Sequence, residues 1–307
     1  FPTSKQFEVG GNQVAIITRT KNRPVLLVRA FASVLSQTHT QWHLYLVNDG
    51  GDPEPVNRLV EQYEAAFDGR ITVLHHEKSL GMEAASNAGL RVAQGDFVII
   101  HDDDDSWQPK FLARTVAYLQ EPEHARFAAV ATNCTVIYER INGSEVIETS
   151  REPYRLFKDR VDMLDLLKLN NIPPICTLIR KPLVDLIGAY NDQLPVLGDW
   201  DYNLRILTIG DIGTIDEPLA NYHHRVPDGG SSIYSNSVHG GKDKHLDYQV
   251  LYRNSMVRKL MLREPAYAGL FHVMLWRFAD TEERLGRIEQ KLDWARWDIN
   301  HRTPPPG

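Results

Sequence analysis

The stretch GDFVIIHDDDDSWQP, residues 95–109, decides the fold. Phe97–Ile100 is an unbroken run of strand-forming side chains, as expected where both faces of a parallel sheet are covered. His101 and four consecutive aspartates, Asp102 to Asp105, follow directly, and Trp107 and Pro109 then end a loop and open a helix. In an open parallel sheet, ligands bind beyond the carboxyl ends of the strands, so the aspartates stand where a ligand would be met. Crowded carboxylates either shift their pKa values upward or recruit a cation. Hard divalent ions such as Mn2+ or Mg2+ prefer oxygen ligands and often accompany phosphates. Metal binding is therefore expected ahead of the ordinary explanation, a solvated acidic loop.

Working outward, the amino-terminal side alternates short apolar strands with helices. QVAIITRT (13–20) reads as a buried strand, and Pro24 opens PVLLVRAFASVLSQ, which has helical apolar spacing. WHLYLVNDGGDP (42–53) repeats the plan, with a helix from about Glu54 to Phe67 and a third strand at RITVLHH (70–76). GMEAASNAGLRVAQG (81–95) is a small-residue helix leading back to the strand before the aspartates. Such alternation implies right-handed βαβ units and a mostly parallel sheet flanked by helices, an α/β fold. Beyond residue 120 the pattern mixes. RFAAVATNCTVIY (126–138) and ICTLIRK (175–181) read as strands, and RVDMLDLLKL (160–169) as a helix. DWDYNLRILTIG (199–210) starts a helix with aspartates in its first turn, where the helix dipole favours negative charge. The glycine- and serine-rich segment 225–244 has the composition of a mobile lid. Leu285, Ile288, Leu292, Ala295 and Ile299 recur at helical steps, either a short coiled-coil seam or an amphipathic helix packed on its own domain.

Composition excludes several classes. The chain has 307 residues, 42% hydrophobic and 24% charged, with a formal net charge of −6 and no basic block, so no nucleic-acid partner is expected. The two cysteines, Cys134 and Cys176, lack metal-ligand spacing and fit a reducing compartment. No apolar stretch suits a bilayer span and no signal-peptide pattern is present, so a cytoplasmic location is expected. A chain that starts at Phe1 and ends in TPPPG is expected to be a module of something longer.

Four segments, TRTKNRPVLLVRAFASVLSQT, LVNDGG, GMEAASNAGL and GDFVIIHDDDDSWQP, resemble in that order the nucleotide-sugar half of family 2 glycosyltransferases. The resemblance implies a GT-A (Rossmann-like) fold with a C-terminal helical extension. It also implies a DxD motif that holds a metal and a nucleotide diphosphate. On this basis residues 1–120 are the nucleotide-sugar half of one domain, 121–245 its acceptor-binding half, and 246–307 a helical extension. Thr18, Thr20, Arg23 and Asp49 are then expected to line the nucleotide pocket, with Asp49 accepting from a base N–H. Asp102 and Asp104 form the outer members of the DxD, with Asp104 the first choice of metal ligand. Asp103 and Asp105 stay open to a slip in register. YHHRVPDGGSS (222–232) occupies the place of the family's loop over the diphosphate. Arg225 is therefore expected at the phosphates, with His224 as a further metal ligand or, alternatively, His223 in that role. LGDWDYNLRI (197–206) resembles the family's later acidic motif, usually Glu-Asp, and here the Glu position is Gly198. The catalytic base is then Asp199, with Asp201 its rival and a helix N-cap the plainer role.

The implied activity is inverting transfer of a sugar from a nucleotide diphosphate sugar, a UDP-sugar first, to a hydroxyl of a saccharide or lipid-linked saccharide acceptor. Surface polysaccharide (O-antigen or capsule) synthesis is the expected setting. Self-association, further domains or contact with the inner membrane face is expected through the C-terminal helix and its Trp276, Trp294 and Trp297. Rival readings are a sugar nucleotidyltransferase, which should carry a glycine-rich phosphate loop that residues 13–24 lack, and a non-catalytic carbohydrate-binding domain. A glycoside hydrolase would need facing carboxylates and no nucleotide pocket.

Overall fold

The computed structural model describes residues 7, 10–142, 145–154, 160–225 and 242–302. Val14–Thr20 (β1) pairs in parallel with Trp42–Asn48 (β2) and with Phe97–Ile100 (β4), and β2 pairs in parallel with Ile71–His75 (β3). β1, β2 and β4 are buried at nearly every position, which is why their sequences run apolar without alternation. The connecting helices are Pro24–Leu35 (α1), Pro53–Phe67 (α2) and Met82–Val92 (α3). Prolines at the first turn of α1 and α2 cost nothing, because those N–H groups have no helical acceptor. Asp52 caps α2 by accepting from the backbone N–H of Glu54 at 3.0 Å.

Ser106–Trp107 (β5) and Phe111–Gln120 (α4) follow the aspartates. The sheet then continues through a 16-residue strand, Phe127–Asn142 (β6), with Glu145–Tyr154 (β7), Thr177–Arg180 (β8) and Asp211–Arg225 (β9). Strand order is β3-β2-β1-β4-β8-β6-β9-β5, with β7 also on β6. β8 runs antiparallel to both of its neighbours, β4 and β6, and β9 lies parallel to β6. The carboxyl ends of β1, β2, β4, β6 and β9 therefore share one edge. Met163–Lys168 (α5), Lys181–Ile187 (α6) and Gly198–Leu207 (α7) complete the described helices of this unit.

The core lies between the sheet and the helices, and Phe67 is its aromatic centre. It meets Phe31 edge to face at 4.9 Å and Trp42 at 6.2 Å. On α3, Gly89 rests on Ile17, so close that a Cβ there would stand 2.6 Å from Ile17 Cγ2. That approach brings the first turn of α3 to the carboxyl end of β1.

The chain divides into two compact units, Phe1–Tyr248 and Gln249–Gly307. The second holds the latter part of Lys242–Arg263 (α8) and the whole of Ala266–Arg302 (α9). Within it Leu285, Ile288, Leu292 and Ile299 are exposed, as are Trp276, Trp294 and Trp297. No helix among the described residues is long and apolar enough to cross a membrane.

Candidate functional site

Among the described residues, four arginines reach the aspartate run. Asp102 accepts from Arg19, through Nε at 3.0 Å and through Nη2, while Arg19 Nη1 donates to Ser86 Oγ at 3.1 Å. Asp103 accepts from Arg23 Nη2 at 2.5 Å and from its Nε at 3.2 Å. Asp104 accepts from Arg225 Nη2 and, at 3.5 Å, from Arg23 Nη1, and its carbonyl accepts from Arg29. Asp105 accepts from the backbone N–H of His223 at 2.8 Å.

Burial sorts these acids. It pushes the Asp103 carboxyl up to about 6, and it raises Asp105 well above the carboxylate range together with its neighbours Asp104 and Asp102. Burial acts on Asp104 too, but Arg23, Arg225 and Arg29 outweigh it and hold that carboxyl low. Of these buried aspartates it is Asp104, with three arginines around it, whose carboxyl is held low, while one arginine does not offset the burial of Asp103.

Strand parity decides which residues join. On β1, Thr18 and Thr20 share one covered face, 1% and 3% exposed, with Thr20 beside the Asp103 carboxyl, while Arg19 between them turns the other way, to Asp102. On β9, His223 and Arg225 share the face of Glu139. His223 Nδ1 is 2.5 Å from Glu139 Oε1, and Arg225 Nη1 donates to Glu139 Oε2 at 3.3 Å. His224 falls on the opposite face, its ring edge-on to Tyr222 at 4.3 Å and to Tyr138 at 5.8 Å. Of the two expected histidines, His223 is the one that meets Glu139 and, through its backbone N–H, Asp105, while His224 packs with Tyr222 and Tyr138 on the other face of β9.

Asp49, at the end of β2, is saturated. It accepts from His76 Nδ1 at 2.8 Å, Ser79 Oγ at 2.6 Å, and the N–H groups of Leu80 and Gly81 at 2.9 and 3.0 Å. Those bonds prevail over burial and hold its pKa low. All four donors come from the loop before α3, so the carboxylate pins that loop to the end of β2.

The corner between α3 and α7 holds another acid that the sequence reading passed over. Asp199, in the first turn of α7, accepts from Asn170 Nδ2 at 2.9 Å, and burial raises its pKa. Asp201, its rival, is tied to Arg205 Nε at 2.8 Å along the same helix. Facing Asp199 is Glu83 of α3, only 5% exposed. Burial, with the charges of Asp199 and Asp102 acting against Arg19, pushes Glu83 up to about 7. A Cβ placed on Gly198 would overlap the Glu83 carboxylate, and Leu197 just before it holds a left-handed φ of 70°. Strain of that kind in a non-glycine residue collects at functional sites.

The donor chemistry suits a hard divalent ion, since every candidate ligand is a carboxylate oxygen. Arginines engage the carboxylates of Asp102, Asp103 and Asp104. Among the described residues, the one trio whose ligand atoms gather within 4.8 Å is Glu121, Glu123 and His124, on a solvated turn where no ion is required. Most of the segment read as a lid, residues 226–241, lies outside the described residues.

The site can be compared with known proteins. The profile of the family described as "Glycosyl transferase family 2" matches residues 15–187. The "Uncharacterized glycosyltransferase YwdF" of Bacillus subtilis is 30% identical over 195 residues, covering 63% of this chain and 67% of that one. A second relative, an uncharacterized glycosyltransferase of Haemophilus influenzae, is 24% identical, and 62% of its length is covered. The "Putative colanic acid biosynthesis glycosyl transferase WcaA" of Escherichia coli is 34% identical over 109 residues, 35% of this chain and 38% of that one. Among solved structures, S. aureus TarS 1-349 in complex with UDP-GlcNAc superposes with a TM-score of 0.55 at 18% identity, over 73% of this chain and 61% of that one. Mannosyltransferase PcManGT from Pyrobaculum calidifontis, in complex with GDP-Man and Mn2+, gives a TM-score of 0.51 at 19% identity, over 75% and 62%. The βαβ half, the acids at its carboxyl edge and the profile match over more than half of the chain agree: this chain is a family 2 glycosyltransferase of the GT-A fold.

Proposed function

We propose that the chain transfers a sugar, with inversion, from a nucleotide diphosphate sugar to a hydroxyl of a saccharide or lipid-linked saccharide, and that it needs a divalent cation. The observation that carries the reading is the meeting of acids and arginines from β1, β9, α3, α7 and the loop after β4 at one sheet edge. Arg23 and Arg225 offer planar forks to phosphate oxygens. Asp102 and Asp104 would hold Mn2+ or Mg2+, which when bound offsets the charge of the diphosphate. The loop that Asp49 pins bounds the base end of the pocket.

Asp199 takes the proton of the acceptor hydroxyl as its oxygen bonds to the anomeric carbon, and the bond to the diphosphate oxygen breaks with its electron pair. A raised Asp199 pKa suits a base that must accept that proton. UDP-sugars are the first choice of donor, because TarS was solved with UDP-GlcNAc; PcManGT was solved with GDP-Man. Surface polysaccharide assembly follows from relatives named for colanic and teichuronic acid biosynthesis. We place the chain in the cytoplasm, with the exposed tryptophans of α9 serving self-association, a further domain or the inner membrane face.

Isothermal titration with UDP, dTDP and GDP, each with Mn2+ and with EDTA, tests the reading on wild type and on Asp102→Asn and Asp104→Ala. Binding of one nucleotide that requires the metal and weakens in both variants supports it. If no nucleotide binds in any condition, the reading fails.

A further inference from the structure

Glu83 is a buried carboxylate with an acceptor left over. Its Oε2 is covered and has no hydrogen-bond partner among the described residues, and the nearest cation, Arg19 Nη1, stands 3.8 Å away. Arg19 does not depend on it: Nε and Nη2 are used on Asp102 and Nη1 on Ser86. A buried acid kept only as a counter-ion would close that gap, because an unmet acceptor in the interior costs the full desolvation of the group.

Position 198 explains where Glu83 sits. Gly198 opens α7 beside Asp199, and its missing side chain is the volume that the Glu83 carboxylate fills. In the motif that LGDWDYNLRI resembles, a glutamate precedes the aspartate. Here the acid is delivered to that corner from α3 instead, in the first turn of a helix whose small residues let it lie close on β1. One side of Glu83 looks to the Arg19–Asp102 pair, where diphosphate and cation would lie. The other looks to Asp199, where the acceptor hydroxyl would lie. The sugar ring has to bridge those two.

We propose that Glu83 is a substrate-contacting residue of the transfer site, replacing the acid absent at position 198 and accepting hydrogen bonds from hydroxyls of the transferred sugar. The proposal rests on the glycosyl-transfer reading above. Burial that pushes Glu83 up to about 7 fits a carboxyl waiting for donors that a ligand supplies.

The test compares each nucleoside diphosphate with its sugar-linked form in the presence of Mn2+: UDP against UDP-glucose and UDP-N-acetylglucosamine, GDP against GDP-mannose. Titrations are run on wild type, Glu83→Gln, Glu83→Ala and the double variant Glu83→Ala with Gly198→Glu, alongside release of free nucleotide from each donor. Loss of a bond to a charged acceptor predicts that Glu83→Ala weakens the sugar-linked form, or slows nucleotide release, by about tenfold or more. The bare diphosphate should change by less than about twofold. The double variant should regain part of the loss, because the carboxylate returns from the other helix. Glu83→Gln preserves the shape and serves if Glu83→Ala does not fold. Equal losses for bare and sugar-linked forms would make Glu83 a support for Arg19 and overturn the proposal, as would variants indistinguishable from wild type. If wild type binds nucleotides but none of the sugar-linked forms better or worse than the bare ones, Glu83 has no sugar to hold and the proposal falls alone. If wild type binds no nucleotide, the transfer reading falls with it.

Discussion

Replacing Asp49 with asparagine separates holding a loop from reading a base. In the native carboxylate Oδ1 accepts from His76 and from Leu80 N–H, and Oδ2 from Ser79 and from Gly81 N–H. An amide has one oxygen, so in either orientation the substituted side chain turns an NH2 toward one of the two backbone donors. Ser79 can rotate and His76 can change tautomer, but a backbone N–H cannot. One bond to a charged acceptor is lost and one donor is stranded, which together cost about 2–4 kcal/mol. Gly50 adds to the constraint, because at its φ of 69° any Cβ would strike the Lys78–Ser79 backbone, so the loop has little room to relax. Urea unfolding of the metal-free protein at neutral pH measures the loss directly. The sign with pH follows from the depressed Asp49 pKa. Its contribution is present above the unfolded value of about 3.9 and is lost as pH falls through the folded value, so the two proteins should converge in acid. A loss below about 0.5 kcal/mol at neutral pH, or one that does not shrink in acid, would refute the reasoning.

Other substitutions probe the frame and the corner beside α7. Phe67→Ala empties the aromatic centre formed with Phe31 and Trp42 and should cost about 3–5 kcal/mol in urea unfolding; a loss under about 1 would mean the site collapses freely. Gly89→Ala should destabilise by about 1–2 kcal/mol even though alanine favours helix, since its Cβ meets Ile17; a gain in stability would disprove that close approach. Glu83→Gln should stabilise the metal-free fold in alkali. A carboxyl raised to about 7 lends stability below its unfolded pKa and loses it as pH climbs through 7, so the variant should lead by up to about 3 kcal/mol at high pH and by nothing near pH 4. Parallel stability curves for the two proteins would contradict the burial of a chargeable group.

The frame of the nucleotide half was legible because β1, β2 and β4 are apolar on both faces and a proline or glycine marks the start of each connecting helix. The site was legible only in part. Arg19 and Glu139 left a signal, a charged residue inside an otherwise buried strand, but the charge partner of each is fixed by strand order, which a single sequence does not carry. Glu83 left less. An acid in the first turn of a helix ordinarily faces solvent and favours the dipole, and only the packing of α3 on β1 and the gap at Gly198 bury it. In YHHR, alternation says that His223 and His224 face apart, yet which of them meets the acids depends on the pairing of β9 with β6. Asp49 was found by its place at a strand end. Its saturation by the loop before α3 came from a turn that composition does not specify.

The pattern of raised carboxyls leads to a prediction about how ligands enter. Arg19 serves Asp102, Arg23 serves Asp103 and Asp104, and Arg29 and Arg225 serve Glu139 and Asp104. Among the described residues, Asp105, Asp199 and Glu83 have no arginine at hydrogen-bond distance, and burial pushes all of them upward. A diphosphate alone would draw Arg23 and Arg225 away and leave Asp103 and Asp104 bare. A divalent cation alone would compete with those same guanidiniums for Asp104. Together, each ligand removes the charge that the other exposes. Mn2+ and a nucleoside diphosphate should therefore bind cooperatively, beyond their own complex in solution. A gain of about tenfold in either affinity corresponds to about 1.4 kcal/mol of coupling, and it must be the same in both directions. Titrating Mn2+ with and without UDP or GDP, and each nucleotide with and without Mn2+, measures both arms. Independent affinities after correction for the solution complex would show that the arginines stay on the aspartates, and that the ion pairs belong to the fold instead of to the transfer site.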